Sequence, residues 1–136
     1  MKLLWAVAHG LEATSSKMHA ELGVTGPQRL VLRLIAHFSF AAPGDLAETL
    51  HVHPSSLTGS LRRLEEAGLI RRKRDPRDGR RAILTLTTKG RALNDRKHGT
   101  VESAVQRALK ALAPADVMVA RNVLKALANE LGVDVD

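Results

Sequence analysis

The sequence predicts a mainly helical fold of the α+β kind, built around one short β-hairpin. Apolar residues recur at helix spacing through most of the 136 residues. Between Leu69 and Thr87 the period drops from about 3.6 to about 2, the repeat of a strand. Inside that stretch Asp75-Pro-Arg-Asp-Gly79 separates two short runs, as a hairpin requires.

Each element follows from its own residues. Leu4, Val7, Leu11, Thr14, Met18 and Leu22 step by three or four along one face of a first helix, which Gly23 ends. Thr25-Gly-Pro-Gln28 has the form of a capping box, with the Thr25 hydroxyl and the Gln28 side chain exchanging bonds with backbone amides. Val31, Leu34, Ile35 and Phe38 carry the second helix, and Pro43-Gly44 leads to a brief third one around residues 45–50. After the turn Val52-His53-Pro54, Pro54 suits the first helical position, where its missing amide costs nothing. Leu57, Leu61 and Leu64 bury one face of this fourth helix, and Gly68 caps its C-terminus. Strands over 69–74 and 81–87 form the hairpin, whose tip carries Arg74, Arg77, Arg80 and Arg81. Asp78 reads as structural, a carboxylate that holds a wing guanidinium in place, with Arg80 the expected partner. Thr87 is the expected N-cap of one long helix with Val101, Val105, Leu109 and Leu112 on one face, broken by Pro114. A last helix over 115–131 aligns Val117, Leu124, Leu127 and Leu131.

All of the formal net charge of +7 sits between Pro54 and Arg91, which holds eleven Lys/Arg and four Asp/Glu. The rest of the chain balances. A charge confined to one helix and one hairpin makes a directed field, and its expected partner is a polyanion. The outer face of the fourth helix is Pro54, Ser55, Ser56, Thr58, Gly59, Arg62 and Arg63. Small residues let a helix approach base edges, Ser and Thr bond several bases, and Arg pairs with guanine in the major groove. The hairpin arginines Arg74, Arg77, Arg80 and Arg81 suit the narrow, negative minor groove beside it. The layout is a winged helix-turn-helix with a two-stranded wing. The plainer reading of any one arginine is a solvated surface, with Arg62 pairing Glu65 or Glu66.

The remaining bulk features exclude much. Aromatics are 2% and Tyr is absent, against a single-strand binder that stacks bases. Cysteine is absent, which excludes disulfides and thiol sensing and suits the cytoplasm. No apolar run reaches the roughly 20 residues of a membrane span. The opening MKLLWAVAHGLEA is expected to be a retained helix rather than a signal peptide, because it runs on into an amphipathic pattern. No nucleophile elbow or phosphate loop is present, so no enzyme is expected. His51-x-His53 is a possible ligand pair without a third partner, so neither metal nor cofactor is expected. Trp5, His9, His19 and His37 could border a small-molecule crevice, but a dimer seam for Trp5 and partly exposed helix faces for the histidines explain them better.

A single domain over 1–136 is expected, with the winged helix-turn-helix at 25–91 and dimerisation helices at 1–22 and 92–136. The terminal helices have apolar stripes and little central core of their own. Leu4, Val7, Leu11, Leu112, Leu124, Leu127 and Leu131 are the expected dimer contacts. Alternatively these helices pack on the winged helix within one monomer.

Several strings together resemble the MarR family of bacterial transcriptional regulators. They are Val-Thr25-Gly-Pro-Gln28, Asp45-Leu-Ala47, Leu-His-Val52-His-Pro-Ser-Ser-Leu-Thr-Gly59, Leu64-Glu-Glu-Ala-Gly-Leu-Ile70, Arg74-Asp-Pro-Arg-Asp-Gly-Arg80 and Leu86-Thr-Thr-Lys-Gly90. The first Leu-Glu string is common among winged helices; followed by this wing and Leu-Thr-Thr-Lys-Gly it is specific. The resemblance covers residues 24–91. It implies a homodimer with interleaved terminal helices, the helix from Pro54 in the major groove, a wing arginine in the minor groove, and an Asp78–Arg80 pair at the wing tip. It implies a pseudo-palindromic double-stranded DNA operator, and repression relieved by a small, often phenolic or anionic, effector that the sequence does not name. Two departures stand out. His53 replaces the usual Ser or Asp N-cap; a charged imidazole caps poorly, so a phosphate contact is expected of it instead. The chain is also short after its last helix, which is expected to trim the dimer interface. The competing expectations are a constitutive architectural DNA-binding protein with little base readout, and a module whose basic face binds an acidic protein or membrane. The small-residue reading face and the lack of an apolar wedge argue against the former.

Overall fold

A computed structural model of the chain describes residues 1–38, 42–75, 78–79 and 82–133. The elements run α1 (Lys2–Leu22), α2 (Gly26–His37), α3 (Pro43–Thr49), α4 (Pro54–Glu66), β1 (Ile70–Arg74), β2 (Ala82–Leu86), α5 (Thr88–Asn94), α6 (Val101–Lys110) and α7 (Pro114–Glu130). The chain forms two compact units, Met1–Val101 and Glu102–Asp136.

The first unit is the winged helix together with α1. Its core gathers Val31, Leu32 and Ile35 of α2, Leu46 and Ala47 of α3, Leu57, Leu61 and Leu64 of α4, and Ile70, Leu84 and Leu86 of the hairpin. The strands pair antiparallel with Arg72 opposite Leu84. On α1 the expected stripe divides. Met18 is fully buried and Leu22 packs on the core, whereas Leu4, Val7 and Leu11 are exposed. Gly23 ends the helix in the left-handed region at φ 73°.

The caps are those the sequence implies. The Gln28 amide donates to Thr25 Oγ1 at 3.4 Å, and the Thr25 amide donates to Gln28 Oε1 at 2.9 Å. Ser15 of α1 adds a third acceptor, its Oγ taking the Gly26 amide at 2.8 Å. Thr87 Oγ1 accepts the Gly90 amide at 3.0 Å and donates to the Gly68 carbonyl at 2.7 Å, so one side chain caps α5 and ties it to the end of α4. Gly90 seats this junction. A Cβ there would lie 2.0 Å from the Leu69 carbonyl oxygen, so only glycine admits the close approach.

The single long helix expected after Thr87 is instead two helices, broken over residues 95–100. The cause is Arg29 of α2, which is buried. Its guanidinium donates to the carbonyls of Leu93 (2.7 Å), Asn94 (3.1 Å) and Arg96. In a continuous helix those carbonyls would accept from the amides four residues on. Gly99, at φ 71°, completes the break.

The second unit is the pair α6–α7. Val105 and Leu109 face Val117, Ala120 and Leu124 across a shallow apolar cleft. Pro114 opens α7 rather than merely ending its predecessor. Leu112 lies in the turn between the helices, beyond the end of α6, and is exposed. Leu124, Leu127 and Leu131 are exposed too, with Leu131 just past α7.

Candidate nucleic-acid interface

The turn from α3 to α4 aims the fourth helix. The Val52 amide donates to the Ala47 carbonyl at 3.1 Å, closing α3 around His51, which adopts φ 51°. His51 is the one residue other than glycine with positive φ among the described residues. Three leucines, Leu57, Leu61 and Leu64, then hold α4 on the core. What remains outside is the predicted face: Pro54, Ser55, Ser56, Thr58, Gly59, Arg62 and Arg63 are all exposed.

Gly59 is informative. It lies inside α4, where glycine costs about 1 kcal/mol relative to alanine. A Cβ added there would meet nothing within 4 Å. The fold therefore does not require glycine at this position.

The polar groups of the face are partly engaged. Thr58 Oγ1 donates to the Pro54 carbonyl at 2.8 Å, which leaves it an acceptor outward. Arg62 pairs with Glu66 at 2.8 Å, one of the two partners the sequence offered, and this hydrogen bond and charge hold its pKa above the ordinary value. Both side chains are exposed, so the pair is easily given up to a stronger anion. Glu65 instead meets Arg72 of β1 at 3.1 Å, which ties the wing to the helix. Arg71, Lys73 and Arg74 extend the exposed cationic surface along β1. Arg77, Arg80 and Arg81 lie outside the described residues, as does the partner expected for Asp78; Asp78 itself is exposed.

His53 differs from expectation. It does cap α4: the Ser55 amide donates to Nδ1 at 3.3 Å. Trp5, His9, His19 and His37 are exposed, and His37 meets the Phe38 ring edge-on at 5.1 Å. Sequence reasoning missed Arg29 altogether, because a lone arginine in an amphipathic helix reads as a solvated side chain. Among the described residues no three His, Asp or Glu side chains group as metal ligands, and no helix is long and apolar enough to cross a membrane.

Comparison with known proteins agrees with this geometry. A family model described as MarR family matches residues 22–81. An HTH-type transcriptional repressor of Mycobacterium tuberculosis is 34% identical over 110 residues, 81% of this chain and 79% of the relative. Among solved structures, a mutant MarR from E. coli complexed with operator DNA has TM-score 0.74 and 28% identity, covering 93% of this chain and 91% of that one. The PcaV regulator of Streptomyces coelicolor in complex with its natural ligand has TM-score 0.76 and 25% identity, covering 93% and 89%. Sequence, fold and helix-turn-helix geometry thus converge, and the chain belongs to the MarR family of transcriptional regulators.

Proposed function

We propose that the chain is a homodimeric, sequence-specific regulator that binds double-stranded DNA as a repressor, acts in the cytoplasm, catalyses no reaction and is released by a small-molecule effector. The observation that carries the DNA reading is Gly59, a helix-weakening residue kept on an outward face that the fold leaves open. Ser55, Ser56, Thr58, Arg62 and Arg63 surround it on the same exposed surface, and Arg74 stands on the wing. In this reading α4 enters the major groove and reads bases, while the wing arginines Arg74, Arg77, Arg80 and Arg81 anchor in the minor groove. The related MarR complexed with operator DNA and the repressor named in Mycobacterium support it. The ligand complex of PcaV supports an effector. The exposed Leu4, Val7 and Leu11 on α1, and Leu112, Leu124, Leu127 and Leu131 in the second unit, supply apolar surface for a partner copy.

The test is a competition titration at about 150 mM salt, with DNA from upstream of the protein's own gene against random duplex of equal length. A preference of about a thousand-fold or more establishes an operator there. Equal affinity with a steep salt slope, repeated with duplexes selected from a random pool, would replace this reading with architectural binding.

A further inference from the structure

We infer that Glu66 sets the base preference of α4 by holding the Arg62 guanidinium through Nε, which leaves its two terminal nitrogens to address the bases. The inference rests on the DNA-binding reading above and gives a role to a carboxylate on that reading face.

The place of Glu66 is unexpected on a surface that meets a polyanion. Leu57, Leu61 and Leu64 mark the buried side of α4. At about 100° per residue, Ser55, Gly59, Arg62 and Glu66 fall in one line on the opposite side, and all four are exposed. Glu66 is also the last residue of α4, where a negative charge meets the negative end of the helix. Its pair with Arg62 runs in the weaker order, with the cation N-terminal to the carboxylate. Neither the helix nor a phosphate backbone gains much from a carboxylate here. Arg62 does. The neighbouring Glu65 meets Arg72 Nε at 3.1 Å instead, so the two carboxylates hold different arginines.

Glu66 Oε1 accepts from Arg62 Nε at 2.8 Å. A guanidinium carries one N–H on Nε and two on each terminal nitrogen, all in one plane. With Nε engaged, the edge left for a further partner is the one that carries both terminal nitrogens. That edge can span O6 and N7 of guanine in the major groove. The bond to Glu66 also restricts the side-chain torsions of Arg62, so less freedom is lost on meeting a base. A base edge is neutral and can be met without displacing Glu66. A phosphate differs: its charge competes with the carboxylate for Arg62, and the exposed carboxylate repels it. Glu66 therefore lowers binding to duplex in general and raises the part of it that depends on sequence.

The experiment measures affinity of the full chain at about 150 mM salt for three kinds of duplex. One is selected from random sequence, one carries each G·C pair of that duplex changed in turn to A·T, and one is random duplex of equal length. Wild type, Glu66→Ala, Arg62→Ala and the double variant are compared. Both positions are exposed on a helix and alanine is a strong helix former, so the substitutions leave the fold in place, as circular dichroism will check. Glu66→Ala is expected to bind random duplex about two- to five-fold more tightly, through the carboxylate charge it loses. It should also lose about five-fold or more of the preference at one G·C pair, the same pair at which Arg62→Ala loses preference. With Arg62 already replaced, removing Glu66 should leave the remaining preference unchanged. A preference in Glu66→Ala equal to wild type overturns the inference. So does a loss that persists at full size without Arg62. Both outcomes leave sequence-specific binding, and so the functional reading, intact. Wild type that binds selected and random duplex equally overturns that reading, and the inference with it.

Discussion

Arg29 Nη1 donates to the Leu93 carbonyl oxygen at 2.7 Å, joining residues 64 apart in sequence. This bond and its companions to Asn94 and Arg96 explain why α5 stops where it does. A guanidinium is suited to the task, since its fork presents several donors in one plane. Removing it takes a charged donor from three part-buried carbonyls, of which that of Leu93 keeps the Arg96 amide at 3.2 Å. Arg29→Met is therefore expected to destabilise the fold by about 2–4 kcal/mol in urea unfolding. Arg29→Lys should recover only part of this, because one ammonium cannot span three carbonyls. A loss below about 0.5 kcal/mol for Arg29→Met would mean that the break between α5 and α6 has another cause.

Gly90 supplies a second constraint of the same kind. Its missing Cβ would stand 2.0 Å from the Leu69 oxygen, a backbone atom that no rotamer change can move. Gly90→Ala must shift α5 off the base of the hairpin. A cost of about 3 kcal/mol or more is expected, with thermal unfolding as the readout.

The contrast is Gly59. Nothing surrounds its absent Cβ, so Gly59→Ala should stabilise the fold by about 1 kcal/mol. Gly59→Phe should leave the fold intact and weaken duplex binding by more than about tenfold, comparable to losing a good base contact. Undiminished binding by the phenylalanine variant would remove this face from the DNA interface.

His51 holds φ 51° at the end of α3, a conformation that side chains other than glycine adopt at a cost. His51→Gly removes the Cβ conflict at the turn. A gain of about 1 kcal/mol is expected in chemical denaturation, reduced by the extra freedom glycine brings to the unfolded chain. A loss instead would show that the imidazole makes compensating contacts.

These residues also show what the sequence can and cannot reveal. The capping box at Thr25 and Gln28, the helix end at Gly23 and the N-cap at Thr87 are local, so spacing within four residues is enough to read them. The face of α4 is legible for a related reason: three leucines at helix spacing define the inside, and the remainder is outside. The break after Asn94 depends on Arg29, far away in sequence, and no local pattern announces it. Gly90 is visible as a glycine, but its reason appears only when Leu69 is seen against it. That the His53 ring caps α4 through Nδ1 shows only in the folded turn, since histidine is an uncommon cap.

The dimer prediction tests the second unit. Leu124 is 60% exposed, Leu127 42% and Leu131 76%, a large apolar area for one helix and its end to leave in water. Leu127→Glu changes a side chain already exposed on α7, and places a carboxylate in any seam formed by a second copy, where its desolvation is uncompensated. Sedimentation equilibrium is expected to show a dimer for wild type and a monomer for the variant, with unchanged circular dichroism. A monomer presents one reading helix instead of two, so tight binding to a two-half-site duplex should be lost along with the dimer. If the variant remains dimeric, the seam lies elsewhere on the chain, and the exposed leucines of α1 become the next surface to charge.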